Sequence, residues 1–350
     1  MMVKLEKGSL KLRNAWAFYD WANSVYSLVI ASAVFPIFYG ALFSKSADYV
    51  GNKKKFMKFF CYLGALSCMG LYFFSLENIY LSLFTYFLAL VGFWGSLVFY
   101  NSYLPDVAFK EQQDSLSAKG FSLGYIGSVF LLLFNLVMIL KPELFGISGD
   151  DASIQAMKIS FITVGMWWIG FSQYSFYYLP SGTKSSKKVN KNVILNGFRE
   201  LKQVQKSLSD NTQLKRFLIA FFVYSMAVQT VMLVATYFGE QEINWGGSDK
   251  KTLGLISSIL IIQLVAVLGS FLTSSASSRF GNIATLIFIN CIWLVLCIVA
   301  YFVTQPLEFY ITAGFVGLVM GGIQALSRST YSKFLPDTKD TTSYFSFYDV

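Results

Sequence analysis

Asp20 is a carboxylate set inside an apolar run, WAFYDWANSVYSLVI, four or five residues into a stretch that reads as a helix. At 1.5 Å of rise per residue it lies roughly 6 to 8 Å deep, where an unpaired charge is expensive. Asp20, Asn23, Ser27 and Ala31 recur at i, i+3, i+7 and i+11, so the acid and the amide share one face and can point together into a water-filled cavity. Two chemistries suit that face. One is a site for a substrate ammonium group or a coupling proton; the other is a carboxylate that ties helix ends together through hydrogen bonds or an arginine such as Arg328. Near the other end of the chain, Gly314, Gly317, Gly321, Gln324 and Arg328 form a second stripe. Its glycines let another backbone approach, and the same face ends in two strong donors. Gln324 suits cavity lining, and Arg328 suits snorkelling to an interface or a gate ion pair. Ser225, Gln229, Met232 and Thr236 make a mildly polar third face, and Asn101, flanked by Tyr100 and Tyr103, closes another helix. Each such amide fits an interhelical hydrogen bond as well as a ligand contact.

Other chemistries are excluded by residue type. The chain has no histidine, hence no His-liganded zinc, no Ser-His-Asp triad and no imidazole relay. Cys61, Cys68, Cys291 and Cys297 sit in apolar runs at spacings that suit neither a metal knuckle nor a disulfide framework, and read as small apolar fillers. No metal and no cofactor is expected. The net charge of +9 lies in short segments between apolar runs, which argues for loops beside a bilayer and against nucleic acid.

The elements that position these residues follow from composition. Of 350 residues 55% are apolar and 13% charged, and the mean hydropathy is +0.53. Runs of bilayer-spanning length carry that excess, so an all-α integral membrane protein is expected. Spans are placed at about 16 to 43, 56 to 76, 79 to 102, 119 to 140, 157 to 179, 215 to 239, 252 to 275, 284 to 304 and 307 to 329. The first run is too long for a signal-peptide core and has no small-residue cleavage site after it, so it is read as retained. The basic segment 180–214 reads as a cytoplasmic linker between an N-terminal helical half, 1–179, and a C-terminal half, 215–350. That orientation puts the N-terminus and most Lys and Arg residues in the cytoplasm.

ADYVGNKKKF (47 to 56) is echoed by SSRFGNIATL (277 to 286), and NSYLPD (101 to 106) by YSKFLPD (331 to 337), at nearly one offset. A shared offset argues for two parallel repeats. Used as a ruler, the repeat leaves the first half one helix short after the first span and the second half two short after residue 350. About nine helices of an expected twelve are therefore read, with a splicing, assembly or deletion artefact favoured over a functional nine-helix variant.

Two such halves around a basic central loop resemble the major facilitator superfamily. WAFYDWANSVYSLVIASAVFP (16 to 36) resembles the first-helix signature of its vacuole-effluxer-like branch, ADYVGNKKK resembles the superfamily loop between helices two and three, and GGIQALSRSTYSKFLP (321 to 336) resembles this branch's tenth helix. The resemblance implies a secondary transporter that moves small polar solutes, amino acids among them, by alternating access, with protons as a candidate coupling ion and the bilayer as its surroundings. It implies the bacterial cytoplasmic membrane. It also marks Asp48, Gly51 and the following lysines, Lys54 among them, as a gating loop that reads equally as a positive-inside anchor, and Arg328 joins them as a gating candidate by its own position at the interface. Substrate or coupling candidates are Asp20, Asn23, Ser27, Asn101, Gln229 and Gln324. The alternatives are an integral-membrane transferase-type enzyme, which should carry paired acids at metal-binding spacing, and a non-transporting membrane receptor.

Overall fold

Long apolar sequence stretches with few internal glycine or proline breaks become long helices, and the computed structural model describes them over residues 5–29, 53–181, 211–336, 338 and 341–349. They are α1 (Leu10–Val29), α2 (Lys53–Gly70), α3 (Ile79–Ser102), α4 (Gln113–Leu140), α5 (Ala152–Tyr178), α6 (Thr212–Gln241), α7 (Ser248–Phe280), α8 (Asn282–Ala300), α9 (Pro306–Phe334) and the short α10 (Thr341–Tyr348). Among the described residues eight helical stretches, containing α2 to α9, are long and apolar enough to cross a membrane. The expected span 16 to 43 is described only as far as Val29, and the linker 180–214 lies almost wholly outside the described residues.

Helix ends follow local chemistry. The Asn211 side chain accepts a hydrogen bond from the Leu214 amide and starts α6. Pro306 opens α9, where the Glu308 carboxylate accepts from the Gln305 backbone amide. Gly281, at φ +83°, makes the sharp turn from α7 to α8 that a residue with a Cβ would strain. Several helices overrun their sequence-placed bounds: α4 begins at Gln113 rather than 119, α5 at Ala152 rather than 157, and α7 reaches Phe280 rather than 275. A hydropathy window stops at the first polar residues, whereas backbone bonding carries the helix on into the interface.

The buried apolar residues fall into two main clusters. One joins α1 to α5 around Trp16, Tyr19, Phe60, Phe99 and Trp168; the other joins α6 to α10 around Phe217, Trp293, Met320 and Tyr331, with Tyr125 of α4 reaching into it. Glycines set the closest crossings. A Cβ at Gly92 would stand 2.2 Å from the Gly64 Cα, and one at Gly321 would stand 2.1 Å from the Ala266 carbonyl oxygen. The 314/317/321 stripe is thus a packing seam of α9 on α7. Leu264, Leu268, Leu272, Phe288 and Leu294 stay exposed on the bundle's outside, as lipid-facing side chains do.

A buried ion pair between the two helix groups

Lys53, Lys54, Lys110, Lys119, Arg279 and Lys333 collect at one end of the bundle, which we call the basic end. Just inside it, Asp20 of α1 and Arg328 of α9 meet: Nη2 of Arg328 donates to Oδ2 of Asp20 at 3.0 Å. The same oxygen accepts from the Tyr100 hydroxyl at 2.8 Å. Both partners are sealed, at 3% and 2% exposure.

Every face of the guanidinium is used. Nε donates to the Ser117 hydroxyl at 2.9 Å, Nη2 also to the Ser117 carbonyl at 3.0 Å, and Nη1 to Oδ1 of Asn101 at 3.3 Å. Its carbon lies 4.0 Å from the Phe121 ring centroid, 4.7 Å from Trp16 and 5.4 Å from Tyr100. Trp16 and Tyr100 stack at 4.6 Å, and the indole N–H donates to the Tyr100 carbonyl, which fixes both rings. Gly120 makes room: a Cβ there would stand 2.5 Å from Oδ2 of Asp20 and 3.0 Å from Nη2 of Arg328. Arginine meets the demand for a fork of donors beside flat rings, which lysine would not. A buried pair this well satisfied contributes little net stability over apolar packing, yet removing one partner strands the other. The pair ties α1 of one helix group to α9 of the other.

Two further polar clusters join the groups at the same end. Asp114 of α4 accepts from Lys333 at 2.5 Å, from Ser277 at 3.2 Å and from Asn282 at 2.9 Å, collecting α7, α8 and α9 on one carboxylate. Lys53 pairs with Asp106 at 3.1 Å and also hydrogen-bonds the Thr341 hydroxyl. Thr341 donates in turn to the Ser102 carbonyl at 3.0 Å. Deeper in, Ser122 and Ser270 share a hydrogen bond at 2.6 Å, and the Tyr125 hydroxyl donates to Oε1 of Gln324 at 2.5 Å. Among the described residues no hydrogen bond between α1–α5 and α6–α10 uses α4 beyond Tyr125. From Gln113 that is about 18 Å of helix at 1.5 Å per residue, which leaves the rest of α4 without a described hydrogen bond across the groups.

The sequence-derived candidates divide accordingly. Asp20, Asn101 and Arg328 come together, and Arg328 is buried in an ion pair rather than snorkelling, because Asp20 and three rings give it a better environment than the interface. Gln324 bonds across the groups. Lys54 is buried and donates to the Leu179 carbonyl at 2.7 Å, within the first group. Asn23 is buried with Nδ2 unpartnered, its Oδ1 accepting from Ser24. Gln229 stands apart, exposed on α6, because that helix packs sparsely and turns the residue outward. The Ser27 side chain, Asp48 and Gly51 lie outside what is described. Sequence reasoning missed Asp114, Lys333 and Asn282. The echo of Asn52 at Asn282 was the available signal, since it marked the corresponding loop of the second repeat.

The fold has solved counterparts. The chain resembles the Escherichia coli fucose:proton symporter FucP, with a TM-score of 0.66 at 16% identity, covering 97% of this chain and 87% of that one. It also resembles a bacterial homologue of the iron transporter ferroportin, with a TM-score of 0.60 at 13% identity and the same two coverages. These are major facilitator superfamily helical bundles, and this chain is an integral membrane protein of that fold. Residues 42–350 match the family model described as vacuole effluxer Atg22 like, so the chain belongs to that family of transporters.

A relative in Bacillus subtilis strain 168, the MFS-type transporter YxiO, is 31% identical over 381 residues, covering 97% of this chain and 84% of that protein. The aligned length exceeds this chain's 350 residues, so the relative carries positions with no counterpart here. Autophagy-related protein 22-1 of Penicillium rubens is 26% identical over 65% of this chain, which spans 40% of the fungal protein. The transferase reading falls away with this membership. Among the described residues no three acidic or cysteine side chains cluster as a metal site.

Proposed function

We propose that this chain is a secondary active transporter that moves small polar solutes, amino acids among them, by alternating access across the bacterial cytoplasmic membrane. The basic end faces the cytoplasm, as the positive-inside distribution of Lys and Arg favours. One observation carries the reading. Among the described residues the hydrogen bonds and ion pairs between the helix groups, Asp20–Arg328 with them, all lie towards one end, which suits a gate closed towards the cytoplasm. Opening that gate hydrates both charges, so the pair separates without stranding either in the interior.

Asn23 and Gln324 lie deeper along the same helices and are the solute-facing candidates; Asp20, Asn101 and Arg328 serve as gate residues. The test uses the protein in proteoliposomes loaded with mixed amino acids, following release with and without a pH gradient. Gradient-dependent loss of particular amino acids supports both substrate class and proton coupling. Intact, folded protein that releases none of them refutes the amino-acid assignment.

A further inference from the structure

Asp349 is a second carboxylate at the gate. Its Oδ1 accepts from Nδ2 of Asn101 at 2.7 Å, and Oδ1 of that amide accepts from Arg328, so one asparagine bridges the guanidinium to the end of α10. Oδ2 of Asp349 is cut off from solvent and has no hydrogen-bond partner. Among the described residues the cluster then contains one cation, Arg328, and two acids, the buried Asp20 and the half-buried Asp349, whose Oδ2 is turned inward. Asp20 takes the cation directly; Asp349 reaches it only through an amide.

With both acids ionised the cluster holds a net negative charge away from water, with one carboxylate oxygen unsolvated. With one proton on Oδ2 of Asp349 the cluster is neutral and Asn101 keeps its bond to Oδ1. Burial in a low-dielectric site favours the neutral form, and a desolvated acid is where the proton costs least.

Among the described residues, the groups facing Asp349 include one cation, Arg328. Arg328 and Tyr331 face it from α9, and Tyr348 from its own helix, with Tyr224 of α6 and Tyr344 next to these. Lys53 of α2 meets the start of α10, already bound to Asp106 and Thr341. Asp349 lies past the last of the eight spans, and burial, opposed by the Asn101 bond and Arg328, pushes its carboxyl up to about 7.

We propose that Asp349 is a proton-binding residue that couples closure of the basic end to protonation, taking a proton from water onto Oδ2 as Arg328 is sealed against Asp20 and returning it when that end opens. The proposal rests on the alternating-access reading. Its sign follows from linkage. The closed form binds the proton more tightly than the open, hydrated form, so closure is favoured at low pH and is lost as pH rises through about 7. Where only the closed form holds the proton, each pH unit shifts the open-to-closed ratio about tenfold.

The experiment measures the distance between spin labels at Lys110→Cys and Ser278→Cys, exposed positions on opposite helix groups at the basic end, with the exposed Cys291 and Cys297 replaced by serine. The full chain in lipid nanodiscs is titrated from pH 5 to pH 8. The short-distance population should fall about tenfold per unit relative to the long one from pH 5 towards pH 7 and level off above that. Asp349→Asn, which keeps an acceptor for Asn101 and cannot ionise, should hold one ratio at every pH, and so should Asp349→Ser should the amide fold poorly. Asp349→Glu should restore the titration. A titration in Asp349→Asn that matches the parent, or a parent whose distances ignore pH, overturns the proposal. Exchange of labelled amino acid across vesicles, measured alongside, reports on transport separately: absent exchange with an Asp349-dependent titration would refute the transport reading and leave the proton site standing.

Discussion

Asp20→Asn removes the charge opposite Arg328 while keeping the side-chain shape, and its cost can be worked from the gate geometry. Stranding one member of a buried pair costs about 3 to 5 kcal/mol. The lower end applies, because Arg328 keeps Ser117, Asn101 and three aromatic rings, and Asp349 stands one amide away. In the open form the guanidinium reaches water and pays none of this, so about 3 kcal/mol acts on the closed form alone, more than a hundredfold in the open-to-closed ratio. Spin-label distances between positions 110 and 278 at pH 6 read that ratio directly. Asp20→Asn should move most molecules to the long distance, and Asp20→Asn combined with Arg328→Gln should recover much of the short one, since no charge is then stranded. An unchanged distance distribution in the single variant would refute the gate argument, because the buried cation would then be shown to need no counter-ion.

Other consequences are smaller or more local. Gly120→Ala drives a methyl group into the Asp20 and Arg328 contact and should destabilise the closed form by about 1 to 3 kcal/mol, read as the same distance shift. Lys333→Met leaves Asp114 with Ser277 and Asn282, and because that pair is partly exposed the shift should be about 1 kcal/mol, under tenfold. Gly269→Ala places a methyl 2.0 Å from the backbone carbonyl oxygen of Leu318, so it should lower the melting temperature of the detergent-solubilised protein by several degrees, without a pH-dependent component.

How far the sequence disclosed this arrangement depends on which signal each residue carried. A lone carboxylate in an apolar run is rare, so Asp20 stood out, and the periodicity of α9 placed Arg328 on a defined face. Their meeting is a tertiary fact across 308 positions of chain, and only the positive charge of Arg328 near the same end suggested it. Asp114 and Lys333 sit at helix ends, where charged residues are ordinary, so neither pattern nor depth separated them from solvated neighbours. Gln229 had the right spacing on α6, yet spacing alone does not say which face a sparsely packed helix turns inward. Asp349 carries no such signal, because its burial comes from α10 folding back against α3, a contact that hydropathy does not encode.

Locking the gate tests alternating access most directly. Ser122 and Ser270 face each other across the two helix groups with hydroxyl oxygens 2.6 Å apart, a separation that suits a disulfide when both become cysteine. In proteoliposomes, oxidation of Ser122→Cys/Ser270→Cys should abolish solute exchange and reduction should restore it, while each single variant stays active in both conditions. Full exchange by protein shown to be cross-linked would contradict the claim that this end must open for transport.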